Sequence, residues 1–263
     1  RQRRSLTEDE MRKLLDAARV RPLQGALKNN GGDADLKPET RQRLEALGRE
    51  RALIYKTLLL TGLRRGELAS LMVGALVLDG RNAYAVLDAA DEKNRKGSHI
   101  PLRADLAADL AQWLSGKLNA LRADCARRGA PIPARLEANA PVFDVPDKLV
   151  KIFDRDLKAA GIAKRDERGR TVDVHALRHS FGTHLSKGGV TLRTAQAAMR
   201  HSTPALTANI YTDPKLLDVA GALDALPALP LDGGSLVAPN VALAGGKPCN
   251  FESIPDTSTV NHT

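Results

Sequence analysis

Strand-like alternation of apolar residues is confined to residues 75–102 of a 263-residue chain, and stretches with helical spacing of apolar residues lie on both sides of it. Within this stretch, residues 76–78, 83–87 and 98–102 are short runs rich in strand-forming side chains, and Asp79-Gly80 is a hairpin turn signal. Three short antiparallel strands are therefore expected. With helical patterns on both sides of them, the sequence predicts a mainly α fold that carries a small three-stranded antiparallel β-sheet.

The predicted helices are bounded by capping and breaking residues. Thr7 followed by Glu10 forms a capping box that begins the first helix, and the glycines and asparagines of residues 21–38 predict a loop after it. Thr191 caps a helix near the end of the pattern. Further helices are expected over residues 38–60, 103–128, 147–160 and 175–187.

Composition divides the chain into three parts. Residues 1–4 are expected to be a linker remnant, residues 5–227 carry the apolar pattern of one domain, and residues 228–263 have the composition of a disordered tail. The apolar runs are much shorter than the roughly 20 residues that span a bilayer. Two cysteines do not make a disulfide framework. A cytoplasmic protein with no membrane partner is expected.

The charge of the chain points to nucleic acid. The formal net charge is +9, and residues 1–230 alone carry 39 basic and 28 acidic residues, a net charge of +11. Such an excess of cations favours binding to phosphate backbones, although a solvated basic surface is the alternative. Aromatic residues make up only 3% of the chain, too few for stacking on single strands. Duplex DNA is therefore the expected partner.

Several candidate site residues lie in the stretch 175–211. His175 and Arg178 are three residues apart, so on a helix they share a face and can converge on one small anion. His201 and Tyr211 follow and bring a second imidazole and a phenol into reach of it. A phosphate facing a phenol is the chemistry that this set suggests.

Two further segments hold groups that such chemistry needs. Arg64 and Glu67 are also three residues apart, so the carboxylate can hold the guanidinium in place as a donor to phosphate. The alternative is an ordinary surface ion pair worth about 0–1 kcal/mol. The cation-rich residues 91–97 include Lys93, which can donate a proton to a leaving group.

Together these motifs resemble the tyrosine recombinase (phage integrase) family. They occur in that family's order and spacing across about residues 5–225. The motifs are Thr61-Gly-Leu-Arg64-x-Gly-Glu67-Leu, a lysine in a hairpin before Ile100-Pro-Leu, His175-x-x-Arg178-His-Ser-Phe-x-Thr-His-Leu, and His201-Ser followed by Tyr211. The resemblance implies a catalytic domain that cuts and rejoins duplex DNA with no metal or other cofactor. It also implies self-association on DNA into a tetrameric synapse.

The resemblance further implies a role for each site residue. Tyr211 would attack the scissile phosphate to give a 3′-phosphotyrosyl link and a free 5′-hydroxyl, and Lys93 would protonate the leaving oxygen. His175 would act as acid/base or phosphate ligand. Glu67 would be a supporting residue. The phosphate would be held by Arg64, Arg178 and His201, and the expected DNA contacts are Arg65, Arg95, Lys96 and Arg200.

Some details depart from the family pattern and leave alternatives open. Arg200 stands where the family usually has glycine, and the interval from His201 to Tyr211 is one residue longer than in many members. Lys96 is the rival to Lys93. Within the same chemistry, the alternative function is a type IB topoisomerase-like enzyme that rejoins the same strand. From another class, the alternative is a DNA-binding regulator that keeps the fold without cleaving.

Overall fold

The structure, a computed structural model, describes residues 2–29, 36–79, 82–92, 96–203, 205 and 207. Within these residues the chain forms mainly α-helices and one small sheet. The helices are Glu8–Asn29 (α1), Pro38–Thr61 (α2), Arg65–Ala69 (α3), Ala104–Arg128 (α4), Leu149–Ala159 (α5), Val174–Lys187 (α6) and Leu192–Met199 (α7). The strands are Leu76–Val77 (β1), Tyr84–Leu87 (β2) and Ser98–Pro101 (β3), and a 3₁₀ turn at Val73–Ala75 precedes β1. The predicted fold class is confirmed.

The sheet is antiparallel, with β2 between its two neighbours. Ala85 lies opposite Leu76 on one side and Ile100 on the other. Side chains alternate along a strand, so Ala85 and Leu87 are both buried in the core, while Val86 between them is only half-buried. The predicted turn at Asp79-Gly80 extends beyond the described residues.

The first helix begins as predicted but continues further. Glu10 accepts the backbone N–H of Thr7 at 2.9 Å, and Thr7 Oγ1 accepts the N–H of Glu10 at 3.2 Å, which completes the capping box. The prediction of a loop from residue 21 is wrong over its first part, because α1 runs on to Asn29 with Pro22 inside it. Packing on α2 outweighs the local preference of proline to break a helix.

Helix α2 is the central element of the core. It packs against α1, α4 and α6 and buries Tyr55, Leu58 and Leu59. The backbones of α1 and α2 approach closely at Gly48, where an added Cβ would lie 1.9 Å from the carbonyl oxygen of Arg19. Among the described residues, no helix combines the length and apolar character that crossing a bilayer requires.

Candidate active site

Helix α6 carries His175 and Arg178 on its first turns. Its N-cap is Asp173, which accepts the backbone N–H of Ala176 at 3.0 Å. Arg3 Nε donates to the same carboxylate at 2.8 Å, so the N-terminal segment is attached to the start of α6. The side chain at the cap thus fixes where the helix begins, and with it the position of His175 two residues later.

Arg178 connects two separate segments of the chain. The residue is almost fully buried, at 1% exposure, and its guanidinium donates to the carbonyl oxygens of Gly62 and Met199. Gly62 is the left-handed C-cap of α2 and Met199 is the last residue of α7. Arg64 lies two residues after Gly62, and His201 lies two residues after Met199. Arg178 therefore brings these two predicted site residues to the same place.

Arg64 is held by the carboxylate that its spacing predicts. The backbone N–H of Arg64 donates to Glu67 Oε2 at 2.9 Å, and Arg64 Nη1 lies 2.5 Å from Glu67 Oε1. Burial alone would raise the pKa of Glu67, but the hydrogen bonds from Arg64 and the charge of Arg200 outweigh it and lower the pKa. Glu67 is therefore ionised, and its partner Arg64 remains partly exposed with a side-chain accessibility of 23%.

His201 is placed by the end of α7. Thr191 caps that helix as predicted, accepting the N–H of Thr194 at 3.2 Å. After the helix, Gln196 Nε2 donates to the carbonyl oxygen of His201 at 3.1 Å, and His201 Nδ1 lies 2.9 Å from Thr207 Oγ1. His201 is buried. These two hydrogen bonds fix its backbone and one of its ring nitrogens.

The imidazoles of the site are neutral at neutral pH. Burial, together with the charges of Arg3 and Arg178, lowers the pKa of His175 to about 4. Burial and the charges of Arg178 and Arg64 lower the pKa of His201 to about 4 as well. Because arginine keeps its proton, the positive charge of the site resides on the guanidinium groups, while the imidazoles can donate or accept a hydrogen bond.

The sequence of this chain matches a known protein family. The sequence model described as the phage integrase family matches residues 4–216. The chain belongs to the phage integrase family. Relatives include tyrosine recombinase XerC of Corynebacterium efficiens, 30% identical over 168 residues that cover 62% of this chain and 46% of the relative. Tyrosine recombinase XerD of Bifidobacterium longum is 30% identical over 211 residues that cover 79% of this chain and 57% of the relative.

Two solved recombinase structures share the fold. XerA recombinase superposes with a TM-score of 0.55 at 19% identity, over 86% of this chain and 66% of that one. XerH recombinase, solved with its palindromic difH substrate in a post-cleavage complex, gives a TM-score of 0.52 at 21% identity over 83% and 52%. The present chain covers about half the length of the curated relatives that it matches.

The structure brings together four of the residues that the phage integrase motifs single out. Arg64, Arg178 and His175 all lie close enough to His201 to lower its pKa.

Lys93, Arg95 and Tyr211 lie outside the described residues. Arg65 and Lys96 are exposed, as a DNA contact must be, and Arg65 Nη1 approaches the carbonyl oxygen of Asp147 at 3.5 Å. Among the residues that the structure covers, no cluster of side chains suits a metal ion.

Arg200 differs from the exposed DNA contact expected from the sequence. Its side chain is 8% exposed and pairs with the buried carboxylates of Glu67 and Glu92. Sequence reasoning did not single out Glu92. The available signal for this pairing is the residue type. An arginine stands next to the site histidine where the family usually has glycine, and this departure indicates that its side chain has a role.

Proposed function

We propose that this member of the phage integrase family is the catalytic domain of a site-specific DNA recombinase or integrase. The observation that supports the proposal is the position of Arg178, whose guanidinium joins the carbonyl oxygens of Gly62 and Met199. Arg64 and His201 each lie two residues after one of these carbonyl groups, which supports a role for both at the same phosphate. Two guanidinium groups and two neutral imidazoles suit a phosphodiester, since they can offset its charge and hydrogen-bond its oxygens.

The proposed reaction is an exchange of phosphoesters. The phenolic oxygen of Tyr211 attacks the phosphorus, a bond from phosphorus to that oxygen forms, and the bond from phosphorus to the 5′ oxygen breaks. An ordinary tyrosine has a pKa near 10, so a base must take its proton, and the neutral imidazole of His175 suits that role. Lys93 gives a proton to the leaving 5′ oxygen. In the rejoining step a 5′-hydroxyl gives its proton to Lys93 and attacks the phosphorus of the phosphotyrosyl link. The bond from phosphorus to the Tyr211 oxygen breaks, that oxygen takes back the proton held by His175, and the strand is closed.

The partners follow from the same chemistry. Duplex DNA is the substrate, and Arg65, Arg95 and Lys96 are its proposed contacts around the cleaved phosphate. Exchange between two duplexes needs four cleaved strands, which requires self-association of the protein on DNA. Because the ester bond is conserved in the phosphotyrosyl link, rejoining needs no high-energy cofactor.

A suicide substrate tests the proposal. Nicked duplexes taken from the DNA that flanks the gene lose, after cleavage, the short fragment that carries the new 5′-hydroxyl, so the covalent protein–DNA adduct accumulates. We expect a wild-type adduct that withstands denaturing electrophoresis and that Tyr211→Phe does not form. An adduct retained in Tyr211→Phe would show that another residue is the nucleophile.

The same substrates separate the two alternatives. A regulator that keeps the fold without cleaving would shift the mobility of the duplexes and give no adduct at any site. A topoisomerase-like enzyme would relax supercoiled plasmid and form the adduct, but it would not exchange strands between two duplexes. Strand exchange between labelled duplexes is the result expected of a recombinase.

A further inference from the structure

Arg200 has an unusual backbone conformation. Its φ and ψ of 54° and 42° lie in the left-handed region, and it is the sole non-glycine residue with positive φ in the part of the chain that the structure describes. This region is sterically unfavourable for a residue with a Cβ and is routinely occupied by glycine. A residue held there against its preference is commonly fixed by its surroundings for a functional reason.

The side chain of Arg200 bridges two buried carboxylates. Arg200 Nη2 lies 2.8 Å from Glu67 Oε2, and Arg200 Nε lies 3.4 Å from Glu92 Oε1. The three side chains are 8%, 2% and 1% exposed, respectively. Removing three charges from water is unfavourable, and apolar packing could fill the same space. The bridge formed by Glu67, Arg200 and Glu92 is therefore poorly explained by stability alone.

Each carboxylate of the bridge belongs to a different part of the site. Glu67 holds the backbone and guanidinium of Arg64. Glu92 lies between β2 and β3, accepts the hydroxyl of Ser98 at 2.9 Å, and directly precedes Lys93 in the sequence. Arg200 itself directly precedes His201. One guanidinium thus connects three segments, each of which is adjacent to a residue of the proposed reaction.

We propose that Arg200 is a positioning residue that, through Glu67 and Glu92, fixes the segment leading to Lys93 relative to the phosphate-binding arginine. This inference rests on the proposed function for its consequence, but the bridge itself can be tested without DNA. Glycine at this position would adopt the same backbone with less strain and would lack the bridge. Arg200→Gly is therefore a variant that we expect to fold.

The first measurement is independent of activity. Hydrogen exchange of peptides spanning residues 84–100 should be several-fold faster in Arg200→Gly and Glu92→Gln than in the wild type. Arg193→Ala is the matched control, because Arg193 is an exposed arginine on α7, the helix that ends at Arg200. Unchanged exchange in both bridge variants overturns the proposal. Faster exchange supports the bridge even if the wild type forms no adduct, and in that case only the proposed function fails.

The second measurement separates positioning of the proton donor from a general structural effect. Adduct formation is followed in single turnover at saturating DNA, with a normal substrate and with one whose 5′-bridging oxygen is replaced by sulfur. A thiol has a pKa near 8.5, far below that of an alcohol, so it leaves without a proton donor. We expect Arg200→Gly and Glu92→Gln to be about 10- to 100-fold slower on the oxygen substrate and within about threefold of wild type on the sulfur substrate.

Two further variants serve as controls for these rates. Lys93→Ala should show the same recovery on sulfur, and Arg200→Lys, which keeps the charge but not the fork of the guanidinium, should recover only part of the rate on oxygen. Bridge variants that equal wild type on the oxygen substrate overturn the proposal. Equal slowing on both substrates also overturns it, since Arg200 would then act on phosphate binding and not on proton donation.

Discussion

At the scale of single residues, the charge state of the histidines is set by their neighbours. His175 and His201 lie among guanidinium groups, and burial with these charges lowers the pKa of each to about 4. A neutral imidazole next to several arginines adds no repulsion, and it is free to take a proton when an anion arrives. At neutral pH both imidazoles are therefore neutral hydrogen-bonding groups, and the positive charge of the site comes from the arginines.

His179 gives a test of this electrostatic environment. Burial, with the effect of His175 next, lowers its pKa to about 3. Because the folded pKa is below the unfolded value of about 6.5, the unfolded chain binds more protons between these values, and stability falls as the pH decreases. From pH 7 to pH 5 one such group costs up to about 2 kcal/mol. We expect His179→Gln to lose correspondingly less stability over this interval in urea unfolding.

If His179→Gln loses as much stability as wild type over this interval, then burial does not lower the pKa of His179 in the folded state.

At the scale of elements, the end of α2 decides where the site forms. Gly62 has a φ of +62° at the C-cap, and an added Cβ would lie 2.5 Å from Cδ1 of Phe181 on α6. Gly129 also has positive φ, at +68°, but it has open space around it. Strain alone costs about 1–2 kcal/mol, so Gly129→Ala should lose about that much. Gly62→Ala should lose at least about 1 kcal/mol more, because overpacking adds to the strain.

Urea unfolding of both variants measures this difference. Gly62→Ala should also slow adduct formation more than Gly129→Ala, since the Gly62 carbonyl is an acceptor for Arg178. Equal losses of stability in the two variants would mean that Phe181 moves aside without cost, so that the contact between α2 and α6 does not restrict this position.

Asp156 on α5 joins three helices through buried polar contacts. It is fully buried, accepts the hydroxyl of Tyr55 at 2.8 Å, and pairs with Arg21 of α1 and Arg51 of α2. Removing it leaves two arginines without their carboxylate, so Asp156→Ala should lower the free energy of unfolding by about 3–5 kcal/mol. Asp154→Ala, which removes a more exposed pair with Lys164, should cost about 0–1 kcal/mol. Similar losses in both would contradict the assigned role of Asp156.

These elements show what local sequence patterns can and cannot predict. Caps at Thr7, Gly62 and Thr191 act within a few residues, so the starts and ends that they define were predictable. The continuation of α1 through Pro22 depends on α2, which lies far along the chain, and no local signal carries it. The buried ion pairs of Asp156 are likewise invisible in sequence, because charged residues at helical spacing look the same on a solvated face.

The site shows the same division between local and long-range information. The spacings of Arg64 with Glu67 and of His175 with Arg178 predicted which side chains share a helical face. The burial of the Arg200 side chain could not be predicted, since it depends on carboxylates that lie 133 and 108 residues away in the sequence. Arg200 pairs with Glu67 and Glu92, both of which are buried only once the fold is complete.

At the scale of the whole molecule, net charge determines how binding responds to salt. Residues 1–230 carry a net charge of +11, and binding of duplex DNA by such a surface releases counterions. Affinity should therefore fall steeply with salt, by about 10³- to 10⁵-fold between 50 and 200 mM if 6–10 phosphates are contacted.

Arg65→Ala and Lys96→Ala should each reduce the slope of log affinity against log salt by about 1. Arg127→Ala, which removes an exposed arginine paired with Asp124 at the end of α4, should leave it unchanged. Fluorescence anisotropy of a labelled duplex gives the slopes, and a flat response in the wild type would exclude the phosphate backbone as the main source of affinity.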